Sequence, residues 1–445
     1  MNYEASSLVP GEAPVGVRQG ISQIKANVHK RLLETLNLIE ARRMSFDQLQ
    51  AECSRRVDIL LTEQRCPLTG QEKAQLLQEL MDDIFGLGPL EAFLRDPTVS
   101  DILVNGPFQI YVERHGQLEE TEARFRDADH LMVVIQRVAS NVGRRVDESS
   151  PMLDARLPDG TRVNAIIPPL SLVGPSVSLR RFGEVPIDAA RLAASGSATV
   201  EMLAFLEACV RCKTNVLVSG GTGTGKTTLL NVLSRWIPAK ERVVTIEDAA
   251  ELQLQRKHVV RLESRPPNIE SKGEVTQRDL LRNSLRMRPD RILIGEVRGA
   301  EALDMLQAMN TGHEGSMTTV HSNTPRDALR RLENMVSMAG LNYPVAVIRQ
   351  QLASALHLIV QLDRLTGGRR KIVSIEEITG MEGDKICTQE IFVFRQTSID
   401  RQGYAIGQFE ACGVRPQLLK RLQTEGASFP PDFFQRRILE CTAPA

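Results

Sequence analysis

Apolar residues recur three and four positions apart from Ile21 to about Phe85, in stretches such as "IKANVHKRLLETLNLIEARR" and "EKAQLLQELMDDIFG". That spacing lines one face of a helix and predicts a helical region over 21–85. Gly86, Gly88 and Pro89 break the rhythm in "GLGPLEAFLRD". Beyond it the pattern changes to alternation. "SDILVNG" and "QIYVERHG" predict paired strands around Gly106-Pro107, and "HLMVVIQRVASNVG" an amphipathic helix. "DARLPDGTRVNAIIPP" predicts two strands about an Asp159-Gly160 turn, and "SVSLRRF" a further strand.

From about 200 to 380 the alternation becomes strand–helix, with strands built on apolar runs: "NVLVSG", "RVVTIED", "HVVRLE", "RILIGE", "SMTTVH", "LHLIVQL" and "KIVSIEEI". Strands that hide both faces between helical stretches belong to a largely parallel sheet flanked by helices. The pattern divides the chain into a disordered stretch rich in Pro, Gly and Ser (1–20), the helical region (21–85) and a small α/β domain (86–182). A linker of small residues (183–198) follows, then a larger α/β domain (199–445) that ends in a mixed β segment and a short helical tail.

Composition narrows the partners. Lys+Arg and Asp+Glu are both 55, so no net basic field draws the chain onto nucleic acid or anionic lipid. Aromatics are 4% of residues, too few for base-stacking platforms. There is neither a signal-peptide core nor an apolar run of the ~18 residues that span a bilayer. Seven scattered cysteines suggest a reducing compartment, and the lone CxxC at Cys209 and Cys212 suggests helix-end packing. A cytoplasmic protein that meets a membrane only through partners is expected.

The chemistry centres on "NVLVSGGTGTGKTTLLNVL". Its Gly220, Gly221, Thr222, Gly223, Thr224, Gly225, Lys226, Thr227 and Thr228 form a complete phosphate loop between an apolar strand and an apolar-faced helix. Glycines let backbone N–H groups approach phosphate, Lys226 reaches the β- and γ-phosphates of ATP, and Thr227 offers its hydroxyl to Mg²⁺. The strand "RILIGE" ends in one acid, Glu296, with Gly295 where an aspartate often stands. The second carboxylate is expected one strand over in "VVTIEDAAEL", where Glu247 could activate water while Glu296 holds the Mg²⁺ shell. Acids just past a strand also cap helices, the reading preferred for Glu251. In "TGHEGSMTTVHSN", His313 sits in a turn and His321 at a strand end, where a neutral imidazole could sense phosphate or be structural. "TQRDLLRNSLRMRPD" predicts a helix with Arg282 and Arg286 on one face, as surface charge or as fingers reaching phosphate.

In this order, the loop, "TIEDAAEL", "RILIGEVRGAEA" and "TGHEGSMTTVHSN" resemble the Walker A, Asp, Walker B and His boxes of the type II/IV secretion ATPase superfamily. The stretch "VNGPFQIYVERHGQLEETEARF…VGRRVDESSPMLDARLPDGTRVNAIIPPLS" is similar to the CpaF branch, motors of Tad (Flp-type) pilus assembly. The four-cysteine insert of type II secretion motors is missing. The resemblance implies an α/β fold: a RecA-like ATPase domain behind a smaller PAS-like α/β domain and a helical region. It implies a homo-hexamer, cytoplasmic and peripheral at the inner membrane, docked on a platform protein. It also implies that Glu247 is the base, that Glu296 organises Mg²⁺, that His313 and His321 are the His-box residues, and that Arg162, Arg180, Arg181, Arg282 or Arg286 approach the γ-phosphate. ATP is then expected between the two domains, which close about the linker on binding. The alternatives are a conjugation or export motor of the type IV secretion kind, a nucleic-acid translocase and a non-hydrolysing scaffold.

Overall fold

The computed structural model describes residues 46–63, 68–114, 116–181, 187–265, 272–340 and 343–441, with isolated positions 28, 31, 32, 44 and 267. The stretch 1–20 and Cys66 lie outside the described residues. The chain divides into two compact units, 1–183 and 184–445. Among the described residues no helix is long and apolar enough to cross a membrane.

In the first unit the helices Phe46–Glu63 and Gly70–Phe85 pair through Val57, Leu60 and Leu61 against Leu76, Leu80 and Ile84. Thr69 and Glu72 form a reciprocal capping box that starts the second helix. Behind them lies an antiparallel sheet of β1 (Val99–Asn105), β2 (Ile110–Arg114), β3 (Gln117–Glu120), β4 (Met152–Arg156), β5 (Arg162–Ile166) and β6 (Ser176–Arg180). Their order is β3-β2-β1-β6-β5-β4. Helix Ala128–Asn141 covers one face, setting Leu131, Val134, Ile135 and Val138 among Ile102, Val104, Val112, Val163 and Leu179. β3 carries no apolar alternation, all four of its residues are exposed, and only pairing with β2 makes it a strand.

The second unit is built on ten strands: β7 (Val216–Gly220), β8 (Val243–Glu247), β9 (Val259–Glu263), β10 (Arg291–Ile294), β11 (Met317–His321), β12 (Leu358–Arg364), β13 (Arg370–Glu382), β14 (Lys385–Ile399), β15 (Ala405–Ala411) and β16 (Arg437–Leu439). The order is β16-β15-β14-β13-β12-β7-β11-β10-β8-β9. β12, β7, β11, β10, β8 and β9 run parallel, and β13 to β16 add an antiparallel extension at β12. Every residue of β7, β8 and β10 is buried, as expected of strands covered on both faces. Alternate side chains feed two cores: Val216, Val218, Val243 and Leu293 enter one, and Leu217, Val244, Ile246 and Ile294 the other.

Two local differences from the sequence pattern have simple causes. Within the expected linker 183–198, residues 189–194 form a helix capped by Asp188, and Ala193 and Ala198 enter the core of the second unit. Alanines short enough to read as linker are also short enough to pack closely. The helix that begins at Thr276 stops at Ser284, so Arg286 lies in the following turn and does not share a helical face with Arg282.

Candidate nucleotide site

Because β7, β8, β10, β11 and β12 are parallel, their C-terminal ends meet along one edge of the sheet. The register pairs Gly220 with both His321 and Leu362, and Ile246 with Ile294. The phosphate loop leaves β7 at that edge and enters helix Lys226–Arg235, whose first turn has no side-chain cap. Gly223 and Gly225 have φ of +70° and +99°, open to glycine at little cost. A Cβ on Gly220 would lie 2.6 Å from Thr224 Oγ1 and 2.7 Å from the Leu362 carbonyl. The loop is therefore a backbone cradle of the kind a polyphosphate occupies. Lys226 Nζ donates to the carbonyls of Gly220 (2.9 Å) and Gly221 (2.7 Å), folded over the loop it serves.

Glu247 ends β8 and is only 2% exposed. Its Oε2 accepts the amides of Glu251 (2.6 Å) and Leu252 (2.8 Å), while its buried Oε1 has no hydrogen-bond partner. Burial pushes its carboxyl up to about 7, against the opposing pull of those two amides. Such a group can take a proton at neutral pH.

Gly295 sits directly beside it. A methyl group there would meet Glu247 Cγ at 3.0 Å and Oε2 at 3.4 Å. The bare backbone of Gly295 is thus the wall against which the Glu247 side chain lies.

Glu296, one residue on, accepts Arg298 Nη2 at 2.8 Å, and Arg298 reaches Asp248 at 3.7 Å. Arg298 thereby ties the end of β10 to the end of β8, and its own charge is favoured by the Glu296 hydrogen bond. His321 Nδ1 lies 3.5 Å from Thr222 Oγ1. Burial, and then the nearby Lys226 charge, lower its pKa, which disfavours the charged form of the imidazole beside the loop.

Glu251 departs from expectation. No helix follows it, since residues 251–255 have no regular structure, so it caps nothing. Instead its Oε2 accepts the Thr227 hydroxyl at 3.3 Å. Sequence reasoning passed over Arg298 and read Glu251 as a helix cap; the signal against that reading was the lack of a helix-forming pattern behind Glu251. Thr227, Glu251 and Glu296 are all oxygen donors, a set that suits Mg²⁺. Thr227 and Glu296 are the residues that would hold the ion, which would shield phosphate charge.

The other candidates make contacts of their own. His313 precedes β11, at the opposite end of that strand from His321, so the chain does not bring it to the phosphate loop. Its amide donates to Ala308 and its Nδ1 is buried without a partner. Arg282 donates to Asp304 at 2.8 Å and Arg278 to the other oxygen at 2.6 Å, strapping helix Gln277–Ser284 to helix Glu301–Asn310. Arg162 and Arg180 face each other across β5 and β6 in the first unit. There Arg180 donates to Asp101 at 3.1 Å, and Arg181 donates to the carbonyls of Asp96 and Val99. Cys209 and Cys212 are buried at the end of helix Val200–Arg211, a packing role in which burial pushes both thiols up. Among the described residues no three His, Cys, Asp or Glu side chains form a metal cluster.

A parallel sheet, with a phosphate loop and a buried carboxylate at the C-terminal ends of two of its strands, defines a phosphate-loop nucleotide-binding protein of the α/β class. The model of the type II/IV secretion system protein family matches residues 84–399, and the chain belongs to that family of ATPases. It is 39% identical over 313 residues to a Mycobacterium tuberculosis protein whose name assigns it, provisionally, to conjugal transfer; the match covers 69% of this chain and 88% of that one. It is 32% identical over 323 residues to the type IV secretion system protein VirB11 of Bartonella quintana, covering 63% of this chain and 89% of that one. Among solved structures, the VirB11 ATPase of the Brucella suis type IV secretion system, in complex with sulphate, is 30% identical. That match covers 66% of this chain and 97% of the other, with a TM-score of 0.37.

Proposed function

We propose that the chain binds MgATP and hydrolyses it to ADP and phosphate as a hexameric motor of a type IV secretion machine, of the conjugation or protein-export kind. The observation that carries the hydrolytic reading is Glu247, a buried carboxylate raised to about 7 at the end of β8, on the sheet edge where the phosphate loop leaves β7, and bonded to the amide of Glu251, whose side chain meets Thr227. In this reading Glu247 takes the proton of the attacking water, Lys226 and the loop amides hold phosphate, and Thr227 and Glu296 hold the metal. His321, next to Thr222, positions the water or the terminal phosphate. Docking on an inner-membrane platform would place the protein at the cytoplasmic face. The names of the relatives, conjugal transfer and VirB11 proteins, support this branch over Tad pilus assembly. The Tad reading is supported by the stretch running from "VNGPFQIYVERHG" to "NAIIPPLS".

The test is Mg²⁺-dependent ATP hydrolysis measured together with oligomer mass, for the native chain and for Glu247→Gln. Loss of a general base is expected to lower kcat by on the order of 10² to 10⁴, with assembly intact. Full turnover by an assembled Glu247→Gln oligomer would remove the base, and its failure to assemble would move the test to Lys226→Ala.

A further inference from the structure

The phosphate loop has two flanks. On the β11 side stand His321 and, beyond it, the acids that end β10 and β8. On the other side runs β12, in register with β7 as far as the pair Leu362 and Gly220. The chain continues past that contact through Asp363 and Arg364, turns, and returns at Arg370 to begin β13. Nη1 of Arg364 lies 3.7 Å from the Cβ position of Gly223, in the middle of the phosphate loop. Cδ of Arg370 lies 3.8 Å from the Cβ position of Gly225, immediately before Lys226.

The turn that carries these arginines is anchored at several points. The Leu365 amide donates to Arg369 (2.8 Å), the Gly368 amide to Leu365 (2.9 Å), and the Ala405 amide to Thr366 (3.1 Å). The Arg369 guanidinium lies over the Tyr404 ring, 4.6 Å from its centre. The Arg364 amide is held by its neighbour Asp363 Oδ1 at 2.7 Å, so the backbone that aims Arg364 is fixed before any ligand arrives. Arg364 itself is half-buried against the loop. A guanidinium offers planar, permanently charged donors, the chemistry suited to phosphate oxygens.

Direction follows from the acids. Hydrolysis requires the terminal phosphate to face Glu247, on the β8 side, so the β12 side faces the phosphates that remain in ADP. We infer that Arg364 is a nucleotide-binding residue, supplied by the same chain that supplies the loop, and that it contacts the α- and β-phosphates. This rests on the assignment of the loop as an ATP site.

The test is equilibrium binding of ADP and of a non-hydrolysable ATP analogue, with Mg²⁺, to the full chain and to Arg364→Ala, Arg364→Gln and Arg364→Lys. Unfolding temperatures without nucleotide check that each variant is folded, and Gln and Lys keep the test open should Ala misfold. Removing a charge-assisted contact is expected to weaken ADP and the ATP analogue alike, by roughly ten- to a hundredfold. Lys, a point charge without the fork, is expected to recover part of the loss. Native chain that binds neither nucleotide would refute the ATP site itself. Native chain that binds both, beside folded variants of equal affinity, overturns the role of Arg364. Loss confined to the ATP analogue overturns the α/β assignment in favour of the terminal phosphate.

Discussion

Burial withdraws water from the Glu247 carboxylate, and two backbone amides on one oxygen restore only part of that solvation. Its pKa of about 7 sets a sign. Below that value the group is protonated and cannot accept a proton from water. The kcat/KM of ATP hydrolysis should therefore fall as pH drops through about 7, approaching tenfold per unit. A profile flat down to pH 5 would remove Glu247 as the base. For stability the sign is opposite. A carboxyl raised above its unfolded value is favoured in its neutral form, so its contribution is full below about 4.5 and is lost as pH rises through about 7. Gly295 acts on the same group by shape. Gly295→Ala places a methyl 3.0 Å from Glu247 Cγ, and the Glu247 side chain must give by a few tenths of an ångström. Turnover is expected to fall about tenfold or more for a misplaced base, with ADP affinity unchanged. Native turnover in that variant would show that Glu247 does not need the space.

Strands and caps were legible in the sequence because they depend on neighbours in the chain. Val216–Gly220, Val243–Glu247 and Met317–His321 lie where their apolar runs predict strands, and Thr276 and Thr324 cap the helices they precede. The end of the helix at Ser284 was not legible, since "LRMRPD" keeps helical character up to the residue before proline. Nor was the placement of His313. A turn and a strand end lie close in sequence, yet an extended strand carries them to opposite edges of the sheet. Glu377 on β13 shows the same limit for a distant contact. It is buried, and it accepts the amides of Gln417 (2.8 Å) and Leu418 (2.6 Å) and the Gln389 side chain (2.5 Å). Those bonds dock the segment that leads into helix Leu419–Thr424. Glu377→Ala removes the buried acceptor of these two part-buried amides, and a loss of about 1–3 kcal/mol in unfolding free energy is expected. Hydrogen exchange at Gln417 and Leu418 should rise with it; unchanged protection there would show that the segment is held by packing alone.

Across the molecule the two units use their apolar residues differently. The first gathers its antiparallel sheet, helix Ala128–Asn141 and the short segment 87–94 around one core, whereas the second sends alternate side chains of its parallel strands into two cores. The low aromatic content conceals a concentration. Phe205, Phe392, Phe429, Phe433 and Phe434 meet with ring centres 4.8 to 6.3 Å apart, joining the antiparallel extension and the C-terminal segment to helix Val200–Arg211. The equal numbers of acids and bases likewise hide an uneven local distribution, with acids at the ends of β8 and β10 and arginines at the end of β12. Neither composition nor net charge could show that arrangement. It exists because the parallel register brings distant segments to one edge.

The contact between Gly295 and Glu247 also limits how such a site can change over generations. A side chain at position 295 on β10 would press on Glu247 of β8, which would have to give by a few tenths of an ångström for the two to coexist. A lineage exchanging a carboxylate at one position for one at the other by single substitutions meets either a crowded intermediate, with side chains at both positions, or an inert one, with neither.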